Sequence, residues 1–135
     1  MAEIKNATLT LDIIEATGQV KLTVNYDLLP NAFEWSLGKQ GMQFKDHITI
    51  HGKDGTTVGP ALTLTDPFTD VTYGVSAAAA PELLDRPARS KITSRASLQE
   101  DPTAGDADEL IARIRVTPLM PTVSTADSPT KTLAG

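Results

Sequence analysis

Residues 7–13, ATLTLDI, alternate without a break: Ala7, Leu9, Leu11 and Ile13 fall on one side, Thr8, Thr10 and Asp12 on the other. A period of two is the mark of a strand with one buried face. Residues 20–26 repeat it, with Val20, Leu22, Val24 and Tyr26 set against Lys21, Thr23 and Asn25, and the loop between the runs contains Gly18. Two such runs across a short glycine-containing loop predict a β-hairpin. The same alternation places Phe33, Trp35 and Leu37 on one face of a third strand, then Met42, Phe44, Ile48 and Ile50 on a fourth. Asp46 interrupts the fourth run and predicts a bulge or bend there. Weaker strands follow at 61–65 (ALTLT) and 71–75 (VTYGV).

Residues 76–90, SAAAAPELLDRPARS, are the one helical candidate. Pro81 suits a first helical position and Pro87 stops the helix, which predicts a loop with a turn of helix. Two more strands are read at 91–98 and 108–116, joined by an acidic loop. Their inward residues are Ile92, Ala96 and Leu98, then Leu110, Ala112, Ile114 and Val116. A hairpin centred on Ala104 would set Arg95 opposite Arg113. Beyond 118 the chain is rich in Thr, Ser, Pro and Ala and shows no period. The division is a β domain over 1–118 and an extended C-terminal tail or arm over 119–135.

Seven to eight short strands separated by turn signals predict an all-β fold, an antiparallel β-sandwich. The stretch FEWSLGKQG resembles the third strand of immunoglobulin-like domains, where a buried Trp precedes a charged turn. The resemblance implies a sandwich of immunoglobulin-like architecture and implies nothing about function. Those domains' paired cysteines have no counterpart, because the chain contains no cysteine.

With 135 residues the chain has the size of one domain. A net charge of -5 argues against sequence-independent nucleic-acid binding, which rests on neutralising phosphates. No apolar run reaches the ~20 residues that span a bilayer, so membrane insertion is not expected. The first residues, MAEIKNATLTLDII, show no basic segment followed by an apolar stretch and a cleavage site. The expected location is the cytoplasm or a virion.

Both histidines lie in DHITIHGKDG, residues 46–55. On a strand, His47, Thr49 and His51 share a face, with His47 and His51 roughly 13 Å apart. One zinc holds its nitrogens near ~2 Å, so these positions cannot share an ion. The expectation is a solvent-facing strand with two exposed histidines and no metal. No GxSxG, GxxxxGK[ST] or GxGxxG element occurs. An enzyme is therefore not expected, nor a cofactor. Glu100, Asp101, Asp106, Asp108 and Glu109 crowd the acidic loop, but their spacing is not that of an EF-hand, and a solvated hairpin tip is the plainer reading. Of the six aromatic residues, Tyr26, Phe33, Trp35, Phe44 and Tyr73 fall in the inward phase, which leaves only Phe68 to stack on a ligand.

One pattern stands apart. Lys91, Arg95, Arg113 and Arg115 fall in the outward phase of the last two strands of an acidic chain. They mark a candidate partner-binding face, and the tail adds the apolar anchors Leu119, Met120, Val123 and Leu133. The functional expectation is a non-catalytic structural protein making protein–protein contacts in a larger homo- or hetero-oligomeric assembly, a phage or virion accessory component being the concrete case. The alternative is a calcium- or glycan-binding sandwich module, and a small hydrolase comes third.

Overall fold

A computed structural model describes residues 2–98, 109–120 and 126–133. Eight strands and two short helices run in the order β1 (Glu3–Ile14), β2 (Gln19–Leu29), α1 (Ala32–Lys39), β3 (Gln43–Asp54), β4 (Thr57–Ala61), β5 (Val71–Tyr73), β6 (Leu84–Asp85), β7 (Arg89–Ser94), α2 (Arg95–Leu98) and β8 (Glu109–Leu119). They form two antiparallel four-stranded sheets on a common plan. In the first, β2 is central, β1 pairs along one side, and β6 and β7 share the other. In the second, β3 is central, β8 pairs along one side, and β4 and β5 share the other.

The alternation of β2 and β3 places the core. Val20, Leu22 and Val24 meet Ile48 and Ile50 in one buried cluster, together with Phe68 and Leu98. Tyr26 and Leu28 meet Met42, Phe44 and Tyr73 in a second. Both clusters draw on both sheets, so the sheets hold each other through the inward phases of their central strands. The β1–β2 hairpin matches its sequence pattern, with Leu11 opposite Leu22 and Ile13 opposite Val20. The register of β1 shifts between Lys5 and Thr8, where Asn6 has a φ of 54°.

The third predicted strand is instead the helix α1. Asn31 caps it: its side chain accepts from the Glu34 amide at 2.8 Å, and Glu34 Oε1 accepts from the Asn31 amide at 3.1 Å. This reciprocal capping box satisfies two backbone donors locally. Three alternating apolar residues are too few to outweigh it. The immunoglobulin-like resemblance rested on a strand at this stretch, and residues 32–39 are helical. Trp35 is still buried, and its indole N–H donates to the Ala78 carbonyl at 2.8 Å. Phe33, read as inward, is 72% exposed on the opposite side of the helix. Gly38 is where α1 approaches the chain after β5: a Cβ there would lie 2.8 Å from Val75 Cγ1.

The last hairpin does not form. β7 pairs with β2 in the first sheet, and β8 pairs with β3 in the second, so Arg95 and Arg113 are not opposed. Residues 95–98 form α2, whose Arg95 amide donates to the Gly18 carbonyl at 3.0 Å. The phase of β7 is also the reverse of the expected one. Thr93 is wholly buried, and Ile92 is 44% exposed. A hydroxyl wins the inner position because it is fully bonded there: Thr93 Oγ1 lies 2.7 Å from Ser97 Oγ and accepts from the Thr65 amide at 3.0 Å.

Residues 76–83 contain no helix, and the predicted turn is replaced by a loop leading into the short β6. The strand read at 61–65 lies earlier, as β4, although Leu62 and Leu64 do pack on the first cluster. Residues 126–133 have no regular secondary structure and are exposed.

Candidate interaction surface

Three places could carry chemistry or contact. The first is the buried polar cluster at Asp46. The predicted bulge is not there: β3 pairs with β8 without a shift through Asp46 opposite Val116. Asp46 keeps the inward phase of Phe44, Ile48 and Ile50 and is 2% exposed. Its Oδ2 accepts from the Tyr26 hydroxyl at 2.6 Å. Its Oδ1 accepts from Arg89 Nη2 at 2.8 Å and from the Val71 amide at 3.2 Å. The Tyr26 proton is committed to Asp46, so Tyr73 donates to the Tyr26 oxygen at 2.9 Å. The Arg86 guanidinium lies 3.7 Å from the centre of the Tyr73 ring. One carboxylate thus ties β2, β3, β5 and β7 together, with both oxygens occupied.

Burial pushes the Tyr26 hydroxyl well above the usual tyrosine range, and its hydrogen bond to Asp46 adds to the effect. Tyr73 is raised by burial, with partial relief from the neighbouring Arg86 guanidinium. A raised folded-state value means the tyrosines contribute stability that is fully present below about pH 10 and lost as pH rises above it. The Tyr26→Phe variant should therefore lose stability less steeply than the parent between about pH 10 and 11.5, by up to ~1.4 kcal/mol per pH unit. Urea unfolding at several alkaline pH values measures this. Equal slopes would show that Tyr26 ionises as readily folded as unfolded.

The second place is the histidine face. His47 is exposed, and its Nδ1 donates to Asp70 Oδ1 at 2.8 Å. That bond holds the Asp70 carboxyl below the usual range, with a further lowering contribution from Lys45. His51 differs from the expectation: it is 6% exposed. Its Nδ1 donates to the Gly59 carbonyl at 2.8 Å, and its Nε2 then accepts from the Thr49 hydroxyl at 2.7 Å. The β4 hairpin that folds back over this end of β3 buried a ring that periodicity alone left in solvent. No group of three or more His, Asp or Glu side chains among the described residues is placed to hold a metal ion. Glu100, Asp101, Asp106 and Asp108 of the acidic loop lie outside the described residues, and Glu109 begins β8.

The third place is the side of the molecule where β1 and β8 lie together. Each pairs on one edge only among the described residues, β1 with β2 and β8 with β3. A groove of about 350 Å³ runs between them, lined by Ala7, Thr8 and Leu9 of β1 and by Leu110, Ala112 and Ile114 of β8. Leu11 and Ile13 occupy the inward phase of β1, opposite Leu22 and Val20, yet are 45% and 52% exposed. Apolar side chains at inward positions have lost water on only part of their surface. Leu11 and Ile13 thus form a half-exposed apolar pair on β1.

The sequence-predicted partner residues divide between the sheets. Arg113 and Arg115 lie on β8, opposite Thr49 and His47, on the outer face. Neither forms an ion pair with a described residue. Leu119 closes β8 at 38% exposure and Met120 follows at 59%. Lys91 is in the first sheet, opposite Leu22, on the inward phase of β7, with its Nζ 3.4 Å from Asp66. Arg95 heads α2 at the end of that sheet. Leu133 is 94% exposed, and Val123 lies outside the described residues. The four cations therefore do not form one face. The apolar edge of β1 went unread as a surface, although its alternation was plain, because periodicity reports which way a side chain points and not whether anything lies opposite it. No helix among the described residues is long and apolar enough to cross a membrane. No family model, curated protein or solved structure matches the chain.

Proposed function

We propose that this chain is a non-catalytic β-sandwich module that makes protein–protein contacts in a larger assembly, in the manner of a phage or virion accessory component. The observation that supports the reading is the pair of long strands, β1 and β8, each paired on one edge only among the described residues and flanking one groove, with the half-exposed Leu11 and Ile13 further along β1. Edge strands present unpaired backbone donors and acceptors, and proteins usually blunt or cover them. Arg113 and Arg115 on β8 add a charged rim, which speeds association and sets register more than it adds affinity.

The test is the Arg113→Glu, Arg115→Glu double variant beside a truncation after Met120. Each should keep the circular dichroism of the parent and fail to co-sediment with the particle the parent associates with. Salt separates the two: charged rim contacts are screened over about 8 Å at physiological ionic strength. The deficit of the charge variant should shrink as salt weakens the parent, and that of the truncation should not. Normal incorporation of both variants would refute the reading.

A further inference from the structure

We infer that the outer face of the second sheet binds the acidic stretch 100–109 of a second copy of this chain, so that copies join head to tail; the inference rests on the assembly reading above. The register of β3 and β8 builds the face. Lys45, His47 and Thr49 of β3 stand opposite Thr117, Arg115 and Arg113 of β8. Thr72 of β5 flanks Lys45 on the other side. Lys45, Arg113, Arg115 and the His47 ring therefore share one patch. Arg113 and Arg115 are two residues apart on one strand, about 7 Å.

The described acids on this face leave the two arginines unanswered. Asp70 accepts from His47 at 2.8 Å and lies 3.4 Å from the Lys45 Nζ. Glu109 stands at the far end of β8, opposite Lys53. Arg113 is half-buried and Arg115 is exposed, and neither side chain makes a hydrogen bond or ion pair with a described residue. Two neighbouring guanidiniums with no anion between them repel each other. Carboxylates laid across both would relieve that repulsion and match the planar donor fork of each arginine.

The occupant follows from where the chain keeps its negative charge. Five of its 17 Asp and Glu residues, Glu100, Asp101, Asp106, Asp108 and Glu109, fall in a stretch that contains no Lys or Arg. The other 12 acids equal the 12 Lys and Arg residues in number, so the net charge of -5 is the charge of this one stretch. Asp106 and Asp108 repeat the two-residue spacing of Arg113 and Arg115. Within one chain, β8 pairs with β3 without a shift from Glu109 onward, which carries Arg115 six residues, about 20 Å, from the end of its own stretch. A second copy is under no such constraint. Face and stretch are different surfaces, so the contact is heterologous. Each added copy leaves one of each free, and copies grow into a ring or a filament.

The experiment is analytical ultracentrifugation of the purified full chain, with circular dichroism as the folding control. The parent should self-associate in ~0.01 M salt and dissociate towards ~0.15 M, as the screening length falls from about 30 Å to about 8 Å. Arg113→Glu with Arg115→Glu removes the face. Glu100→Gln, Asp101→Asn, Asp106→Asn and Asp108→Asn together remove the stretch. Each variant alone should self-associate at least about tenfold more weakly than the parent. Mixed, they should form a one-to-one complex and nothing larger, with the parent affinity restored to within about threefold, because the first still offers its stretch and the second its face. A monomeric parent, a variant that associates as the parent does, or a mixture that stays monomeric would overturn the inference. So would a monomeric parent that binds polyglutamate or an oligonucleotide through Arg113 and Arg115, which would assign the face to a foreign anion. The assembly reading is judged separately: a monomeric parent that still co-sediments with its particle sinks the second copy and leaves that reading standing.

Discussion

The Asp46→Ala variant should lose about 3–5 kcal/mol of stability, measured by urea unfolding at neutral pH. The size comes from what stays behind. Arg89 Nη2 and the Tyr26 hydroxyl both donate to this carboxylate, and alanine leaves a guanidinium and a phenol facing an empty site. Breaking a buried ion pair by removing one member strands the other, and the stranded charge sets the cost. Replacing both members behaves differently. The double variant Asp46→Leu, Arg89→Met should recover much of the loss, since two apolar side chains strand no charge. Tyr26 can still bond Tyr73 in that background. A single Asp46→Ala variant that unfolds within about 1 kcal/mol of the parent would mean the cluster does not hold the sheets together.

Trp35→Ala should cost a similar amount, about 3–5 kcal/mol, through the cavity left by the largest buried side chain. Its hydrogen bond to the Ala78 carbonyl, which fastens α1 to the loop after β5, is lost as well. Trp35 is the only tryptophan, so circular dichroism is the probe, because fluorescence disappears with the mutation. The comparison that discriminates is Phe33→Ala. On the predicted strand both residues would be inward and both substitutions costly. On the helix Phe33 is 72% exposed, and its replacement should fall within about 0.5 kcal/mol of the parent. Two equally damaging substitutions would argue for the strand.

The two sets of expectations separate by the range of the forces involved. Where a run of alternating residues was long, its period of two was enough to set the outcome. β2 and the inward face of β3 carry Val20, Leu22, Val24, Phe44, Ile48 and Ile50 into the core as their period of two requires. The β1–β2 hairpin forms across the glycine-containing loop for the same reason. Where the run was short, a local rival decided. The capping box of Asn31 and Glu34 closes its hydrogen bonds within four residues, and it turned an apparent strand into α1.

Tertiary structure alone decided the rest, because the deciding partners are far apart in the chain. Asp46 looked like a break because a carboxylate in an apolar phase is costly until its donors are known. Those donors come from Tyr26, Val71 and Arg89, on three other strands. The reversed phase of β7 has the same origin, since Thr93 is satisfied by Thr65 and Ser97. Strand pairing is likewise beyond a pattern that only reports faces. Residues 91–94 and 109–116 read as neighbours in sequence, but β2 and β3 each offered a free long edge, and each sheet took one of the two strands. That choice carried Lys91 and Arg95 away from Arg113 and Arg115. It also left β1 and β8 together as the outer strands of the two sheets. Periodicity determined which residues of this chain turn inward; only the packing of distant strands decided which of those inward residues are covered, and which remain half in water along the β1–β8 side.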